Sequence, residues 1–405
     1  MQKLFLKIKI ETLLKLCFLG LLFSLKLYIL SVALLTLFIG LKNIQEKKYN
    51  LLFYRNCTAM AIIGLYALYI IGLLYSKDIH EALYSMEKRA SLVILPIAIC
   101  SITTIKIKSV INILSVFFFS LTITCVIIYV GAFMEYYSSN AEISLTYFIN
   151  EYKREKLSGF SLLQYHHPYL GLFIATGILF IVTYFSKFHF KILYGLAGCF
   201  LFLFLIQLEA KMSLIALLLT LLVYVAILLK NYSYKLFVGF VLTVLLVSGG
   251  IYLIKPTVVK TKIGHIIYAD GGSRIRNWES AYMAIKQAPI IGHGPGDNLS
   301  VLQSQRPKGS WEREEKYNAH NEYLDITISF GLMGLLYWLC VLVHIIRKSY
   351  MQGHYFFCLF TILFSLCGLT DVLLNRFAGV ALFALIISTF ANVSESSNTK
   401  ASNTL

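Results

Sequence analysis

Charge is what this chain has least of. Asp, Glu, Lys and Arg make up 14% of its 405 residues, where soluble domains carry about 25%; the mean hydropathy is +0.73. It also lacks sustained apolar–polar alternation. Its apolar runs are continuous and recur at about 20 residues, long enough to cross a bilayer as helices. Backbone polar groups cannot be left unpaired in lipid, so spanning segments are helices or a closed barrel. A barrel needs alternating strands, so helices remain.

Other absences narrow the reading. None of the eight cysteines (Cys17, Cys57, Cys100, Cys125, Cys199, Cys340, Cys358, Cys367) forms a Cys-x-x-Cys pair, and most sit inside apolar runs. They read as small apolar residues, not as metal ligands or a disulfide framework. Lys3, Lys7, Lys9 and Lys15 precede the first apolar run as in a signal peptide, but Lys26 interrupts it and no small-residue cleavage site follows. It reads as a retained first span. No fixed-period repeat is visible, and the middles of the runs are nearly free of ionisable residues. Ion-coupled transporters place such residues at mid-membrane, often within internal repeats.

The apolar runs predict spans at 12–25, 27–42, 52–74, 89–104, 109–133, 167–186, 191–208, 212–229, 235–254, 319–345, 354–371 and 375–392. With a cytoplasmic N-terminus, Lys42, Lys47, Lys48, Arg55, Lys106, Lys108, Lys187, Lys191, Lys230, Lys235, Arg347, Lys348 and Lys400 fall on the cytoplasmic side. That is the positive-inside pattern. It turns the net charge of +16 into a topological signal rather than a sign of nucleic-acid binding. The expectation is an all-α polytopic membrane protein of about twelve transmembrane helices. Residues 1–393 form one membrane domain, and 394–405, rich in Ser and Asn, a disordered cytoplasmic tail. Both termini are cytoplasmic, and 76–88, 134–166, 209–211, 255–318 and 372–374 lie outside.

The extracytoplasmic loop 255–318 is basic against the rule, so its charge needs another explanation. After Gly271-Gly272, Ser273 can cap a short helix carrying Arg274, Arg276, Trp278, Tyr282 and Ile285, which Pro289 ends. Trp278, Tyr282 and Ile285 recur at helical spacing, an amphipathic stripe for the membrane or the bundle. Its arginines either snorkel to headgroups or clamp an anion, since guanidinium offers phosphate a planar fork of donors. Gly292-His293-Gly294-Pro295-Gly296 lacks the Lys-Ser/Thr ending of a phosphate loop and follows no strand; it reads as a tight turn with a locally bonded His293. His320 stands at the start of the next apolar helix, after Asn318 as its cap. A helix N-terminus disfavours imidazolium; a neutral imidazole there suits a general base. Lys211 follows Glu209 in a very short outer connection, either a span-end charge or a cation for a lipid phosphate. The pair His166-His167 ahead of Pro168 lacks the partners of a metal site and suits hydrogen bonding or sugar contact. Lys211, Asp371, Arg376, His167 and His320 thus gather at the outer ends of spans, an arrangement suited to an enzyme with a membrane-anchored substrate.

These segments resemble the O-antigen ligase and polymerase superfamily of bacterial membrane proteins. Arg274-Ile275-Arg276-Asn277-Trp278 and Pro289-Ile290-Ile291-Gly292-His293-Gly294-Pro295-Gly296 are similar to its Arg-x-x-x-Trp helix and Pro-x-x-Gly-x-Gly-x-Gly turn. His320-Asn321-Glu322-Tyr323-Leu324, followed by Gly331-Leu332-Met333-Gly334-Leu335, is similar to its His-Asn-x-x-Leu and Gly-rich span. His167-Pro168-Tyr169 and the stretch from Thr370-Asp371 to Gly379 match weaker features. The motif signal covers 255–345. The resemblance implies a GT-C-like fold and a metal-independent transfer, with no cofactor, of a glycan from undecaprenyl diphosphate to an acceptor sugar hydroxyl. The setting is the outer face of the bacterial inner membrane, in lipopolysaccharide or other polysaccharide biosynthesis. A polymerase, using a second lipid-linked glycan as acceptor, shares the donor chemistry. The implied partners are the lipid-linked donor, a glycolipid or glycan acceptor and membrane lipids. By motif, His320 and Arg274 are the catalytic residues, while Lys211, Arg276, His167 and Asn321 bind substrate. Lys211 stands where the family has Arg in a Ser-Arg pair; it keeps the charge and loses the bidentate fork.

Overall fold

A computed structural model of the protein describes residues 10–45, 52–102, 104–139, 149, 167–239, 242–243 and 269–393. Among them the structure is helical throughout, apart from one isolated parallel bridge between Ile105 and Val393. The helices are α1 (Ile10–Phe23), α2 (Leu25–Gln45), α3 (Cys57–Leu73), α4 (Ile79–Arg89), α5 (Ser91–Cys100), α6 (Ile107–Ser139), α7 (His167–Tyr184), α8 (Lys191–Gln207), α9 (Lys211–Tyr232), α10 (Ala269–Gln287), α11 (Asn298–Ser304), α12 (Trp311–Glu314), α13 (Glu322–Met351), α14 (Tyr355–Cys367) and α15 (Phe377–Ala391). Helices occupy each predicted span interval; of 235–254 the described residues, 235–239 and 242–243, are helical and most of the interval lies outside the described residues. So do the tail 394–405, His166, residues 255–268 and most of 134–166. Five helices, α2, α6, α7, α9 and α13, are long and apolar enough to cross a membrane by length and composition.

Burial sorts the helices by position. Every residue of α15 from Ala378 to Ala391 is buried, and the helix packs on α5, α3 and α14. A helix apolar all round belongs in a bundle centre. In contrast α2 and α9 are mostly exposed and still apolar, through Leu30, Leu34 and Leu37 on one and Leu218, Leu222 and Val225 on the other. Apolar faces of that extent suit a lipid surround. The eight thiols are free, with Cys57, Cys199 and Cys340 exposed.

The loop segments hold more helix than the pattern predicts. Residues 76–88, expected as a plain connection, form most of α4; Asp78 caps it by accepting from the Glu81 amide at 2.9 Å. The interval 255–318 holds α10, α11 and α12 instead of one short helix. α10 begins at Ala269 and runs through Gly271-Gly272, so Ser273 lies inside the helix and is not its cap. Its buried face also differs from the Trp278–Tyr282–Ile285 stripe: Asn277, Ser280, Ala281 and Ala284 are buried, while Tyr282 is exposed. The small residues let α10 pack closely on α13, where Ala281, Ala284, Leu302, Ala319 and Ile328 form a second apolar core. That packing outweighs the cost of about 1 kcal/mol per helical glycine.

Candidate active site

The first apolar stretch of α13 is interrupted. Gly331 has φ 63 and ψ −165, a conformation open to glycine, and splits the helix into 322–330 and 332–351. A break in an apolar helix frees carbonyls before it and amides after it, which need partners. The turn 289–296 supplies them. His293 N donates to Ile328 O and Gly294 N to Ser329 O, each at 2.9 Å; Leu332 N donates to Pro289 O at 2.8 Å and Met333 N to Ile290 O at 3.3 Å. Tyr75 adds a hydrogen bond from its hydroxyl to Ile291 O at 2.8 Å. The glycines of the turn are required by this splice: a Cβ on Gly292 would meet Phe330 N at 2.5 Å, and one on Gly331 would collide with the Ile290 carbonyl. His293 bonds locally, Nε2 to Ala284 O at 2.8 Å, as the sequence predicts.

The splice orients the short half-helix that follows the His-Asn motif. Asn321, not Asn318, is its cap: Oδ1 accepts from Tyr323 N and Leu324 N, and Nδ2 donates to Leu369 O. His320 therefore stands just before the cap, at φ 47, rather than within the helix. Asn318 Oδ1 accepts from His320 N at 3.0 Å, and the His320 ring meets Tyr317 edge-on at 5.5 Å. Asn321 is absent from the cleft lining and shapes the site from behind.

Arg306, 4% exposed, organises the loop leading to His320. It donates to Gln303 Oε1, to the carbonyls of Glu312 and Tyr317, to Asn277 Oδ1 and to Asn318 O. Burial lowers its pKa to about 10, with Glu312 acting the other way, so it stays charged at neutral pH. Arg276, expected at the substrate, lies off the cleft and pairs with the Glu312 carboxylate through Nε and Nη2. Its role in this arrangement is to hold the loop.

A single cleft of about 1420 Å³ receives the other predicted cations and His320: Lys211 from the start of α9, Arg274 from α10 and His320 ahead of α13 line it together. Asp371 and Arg376 line it as well, between α14 and α15. Pro168 and Tyr169 represent the α7 end; His167 begins α7, and its side chain lies outside the described set. The volume exceeds the roughly 300–1,000 Å³ of a drug-sized pocket. Burial pushes the half-buried Asp371 carboxyl up to about 6, against the Val372 amide, Arg274 and Arg376. Among the described residues no three His, Cys, Asp or Glu side chains converge where a metal could sit.

Residue-by-residue reading missed Lys88, Arg89 and Asp325, which also line the cleft. Arg89 is 2% exposed and lies 4.3 Å from the Tyr69 ring; Asp325 faces Arg89 and Lys88 electrostatically. Lys88 and Arg89 close α4 just ahead of an apolar run, where cations ordinarily mark a span end. Asp325, one turn inside an apolar span, was the signal that could have been followed, because buried acids in such positions need partners.

Comparison with known proteins gives two matches. Residues 196–339 match the model of the O-antigen ligase family, a stretch that includes Lys211, Arg274 and His320 and stops short of Asp371. An uncharacterized protein of Haemophilus influenzae is 35% identical over 68 residues, 16% of this chain and 17% of that protein. The match thus spans about a sixth of that relative's length.

Proposed function

Starting from a chain of the O-antigen ligase superfamily, with its family domain at 196–339, we propose that this protein transfers a glycan from undecaprenyl diphosphate to an acceptor sugar hydroxyl. The cleft faces the periplasm, both termini are cytoplasmic and about twelve helices cross the inner membrane. Arg274 and Lys211 hold the diphosphate. As the bond between the anomeric carbon and the phosphate oxygen breaks, charge grows on the leaving group, and fixed cations stabilise that charge most in the transition state. His320 accepts the proton of the acceptor hydroxyl as its oxygen bonds to the anomeric carbon. The products are the lengthened acceptor and the lipid diphosphate. Cleavage of the diphosphate ester drives the transfer, so no nucleotide is consumed outside the cell.

One observation carries the reading: Lys211, Arg274 and His320, far apart in sequence, line the same cleft. A polymerase, in which the acceptor is a second lipid-linked glycan, shares the donor half of this chemistry. Glycolipid gels of a deletion strain separate the two. Full-length glycan stranded on its carrier marks a ligase; single repeat units on the normal acceptor mark a polymerase. His320→Ala and Arg274→Ala should each fail to restore transfer while inserting into the membrane normally. A fully active His320→Ala protein would remove His320 from the chemistry.

A further inference from the structure

We propose that Trp311 and Tyr317 form an aromatic platform in the cleft, which stacks a pyranose ring of the acceptor glycan next to His320. The proposal rests on the function given above and deepens it. It names two residues that select the acceptor and the feature they select, a sugar face made of C–H bonds alone.

The platform is a short chain of rings. Trp311 and Tyr317 meet edge-on with centroids 5.0 Å apart, and Tyr317 meets His320 edge-on at 5.5 Å. All three line the cleft. Trp311 is 55% exposed, while Tyr317 and His320 are half-buried. The backbone beneath the rings is fixed. Arg306 Nη1 donates to the carbonyls of Glu312 and Tyr317, each at 2.7 Å. Gln303 Nε2 donates to Tyr317 O at 2.8 Å, and Tyr317 N to Glu312 O at 3.0 Å. Lys316 and His320, on either side of Tyr317-Asn318-Ala319, both hold positive φ, 51 and 47. Residues with side chains stay in that region only where their surroundings fix them, and such positions gather at ligand sites.

A plainer account is available for part of this. Tryptophan and tyrosine collect at membrane–water interfaces, and a pair of rings can serve packing alone. Packing explains the half-buried Tyr317. It does not explain Trp311, whose ring stays open in a cleft. Lipid does not explain it either, because the residues that follow, Glu312-Arg313-Glu314-Glu315-Lys316, are too costly to place in an apolar medium. A lipid chain would instead take the apolar lining of Ile29, Val32 and Ala33 on α2. A sugar suits both sides of this surface. Its C–H face covers an aromatic ring and removes apolar area from water. Its edge hydroxyls need polar partners, and Glu315 and Lys316 line the same cleft. Because Tyr317 touches His320, a ring stacked there brings its hydroxyls toward the base.

Saturation-transfer NMR of the purified full chain in lipid nanodiscs tests the platform, with methyl β-D-glucopyranoside as the probe. Each face of that sugar presents only axial C–H bonds; methyl α-D-mannopyranoside carries an axial oxygen on each face. The glucoside should take up saturation mainly on the protons of one face and bind about tenfold or more tighter than the mannoside. Trp311→Ala should weaken glucoside binding by about tenfold with an unchanged melting temperature, and Trp311→Phe should restore most of it. Tyr317→Phe, which keeps the ring, should bind as the wild type does. No signal from the glucoside, equal binding of the two sugars, or a Trp311→Ala protein that binds like the wild type overturns the platform. Failure of the parent reading looks different: His320→Ala would support full transfer in cells while the glucoside result stood.

Discussion

Replacing Gly331 with alanine should open the splice in α13. At φ 63 and ψ −165 the backbone lies where side chains cost about 1–3 kcal/mol. The added methyl also collides with the Ile290 carbonyl, which is backbone and cannot rotate away. Relief of the collision moves 289–291 off α13 and strains the bonds from Leu332 N and Met333 N, each worth about 1 kcal/mol net. The expected loss is about 3–5 kcal/mol. Gly353, at φ 70 with nothing near its missing Cβ, provides the control, since alanine there carries only the conformational cost of about 1–2 kcal/mol. Thermal melting of the detergent-purified variants, with limited proteolysis of 269–318, measures both. A Gly331→Ala protein that melts with the wild type, or no lower than Gly353→Ala, would refute the splice as a source of stability.

Three further outcomes follow from the site. Arg306→Ala leaves the carbonyls of Glu312, Tyr317 and Asn318 without their common donor; it should cost about 3 kcal/mol or more and abolish transfer on glycolipid gels, with protease cutting near 311–318. Arg276→Ala strips the partner from Glu312, whose side chain is 6% exposed although the arginine is 53% exposed; it should cost about 1–3 kcal/mol and leave most transfer intact, unlike Arg274→Ala on the same helix. Asp371 holds its proton more tightly folded, at about 6, than unfolded, at 3.8. The native state therefore binds more protons between these values, and stability from this group falls as pH rises from about 4 to 6. The same loss of negative charge beside Arg274 and Arg376 should tighten pyrophosphate binding as pH drops through 6, and Asp371→Asn should remove that component of the pH profile.

Much of the helix pattern can be read from composition, because lipid leaves the backbone few options and each apolar run has one outcome. The break at Gly331 cannot. Gly331-Leu332-Met333-Gly334 looks like uninterrupted apolar helix, and the partners that make a break tolerable lie in a separate loop. The onset of α10 failed for a related reason: Gly271-Gly272 reads locally as a turn, while packing of Ala281 and Ala284 on α13 extends the helix through it. Lys211 and His320 drew notice from their places at span ends and Arg274 from its loop helix, and all three line one cleft. The two loop arginines were not separable. Arg276 and Arg306 carry the same charge in the same loop, and only distance shows that one takes the Glu312 carboxylate and the other a set of carbonyls. Lys88 and Arg89 stand at the outer start of the predicted span 89–104, with no motif around them to set them apart.

The splice has a consequence for how the outer loop is built. By joining 289–294 to 328–333, it ties the chain between them into a ring closed at its base. The ring contains α11, α12, Arg306 and His320. The entropic cost of closing the base grows only logarithmically with the length of the segment, so adding residues at the rim costs little more. Trp311, Glu315 and Lys316, on the rim and in the lining of the cleft, can change in type or number without loosening the base. The ring thus separates a part open to variation, lining the cleft, from a part that must stay as it is.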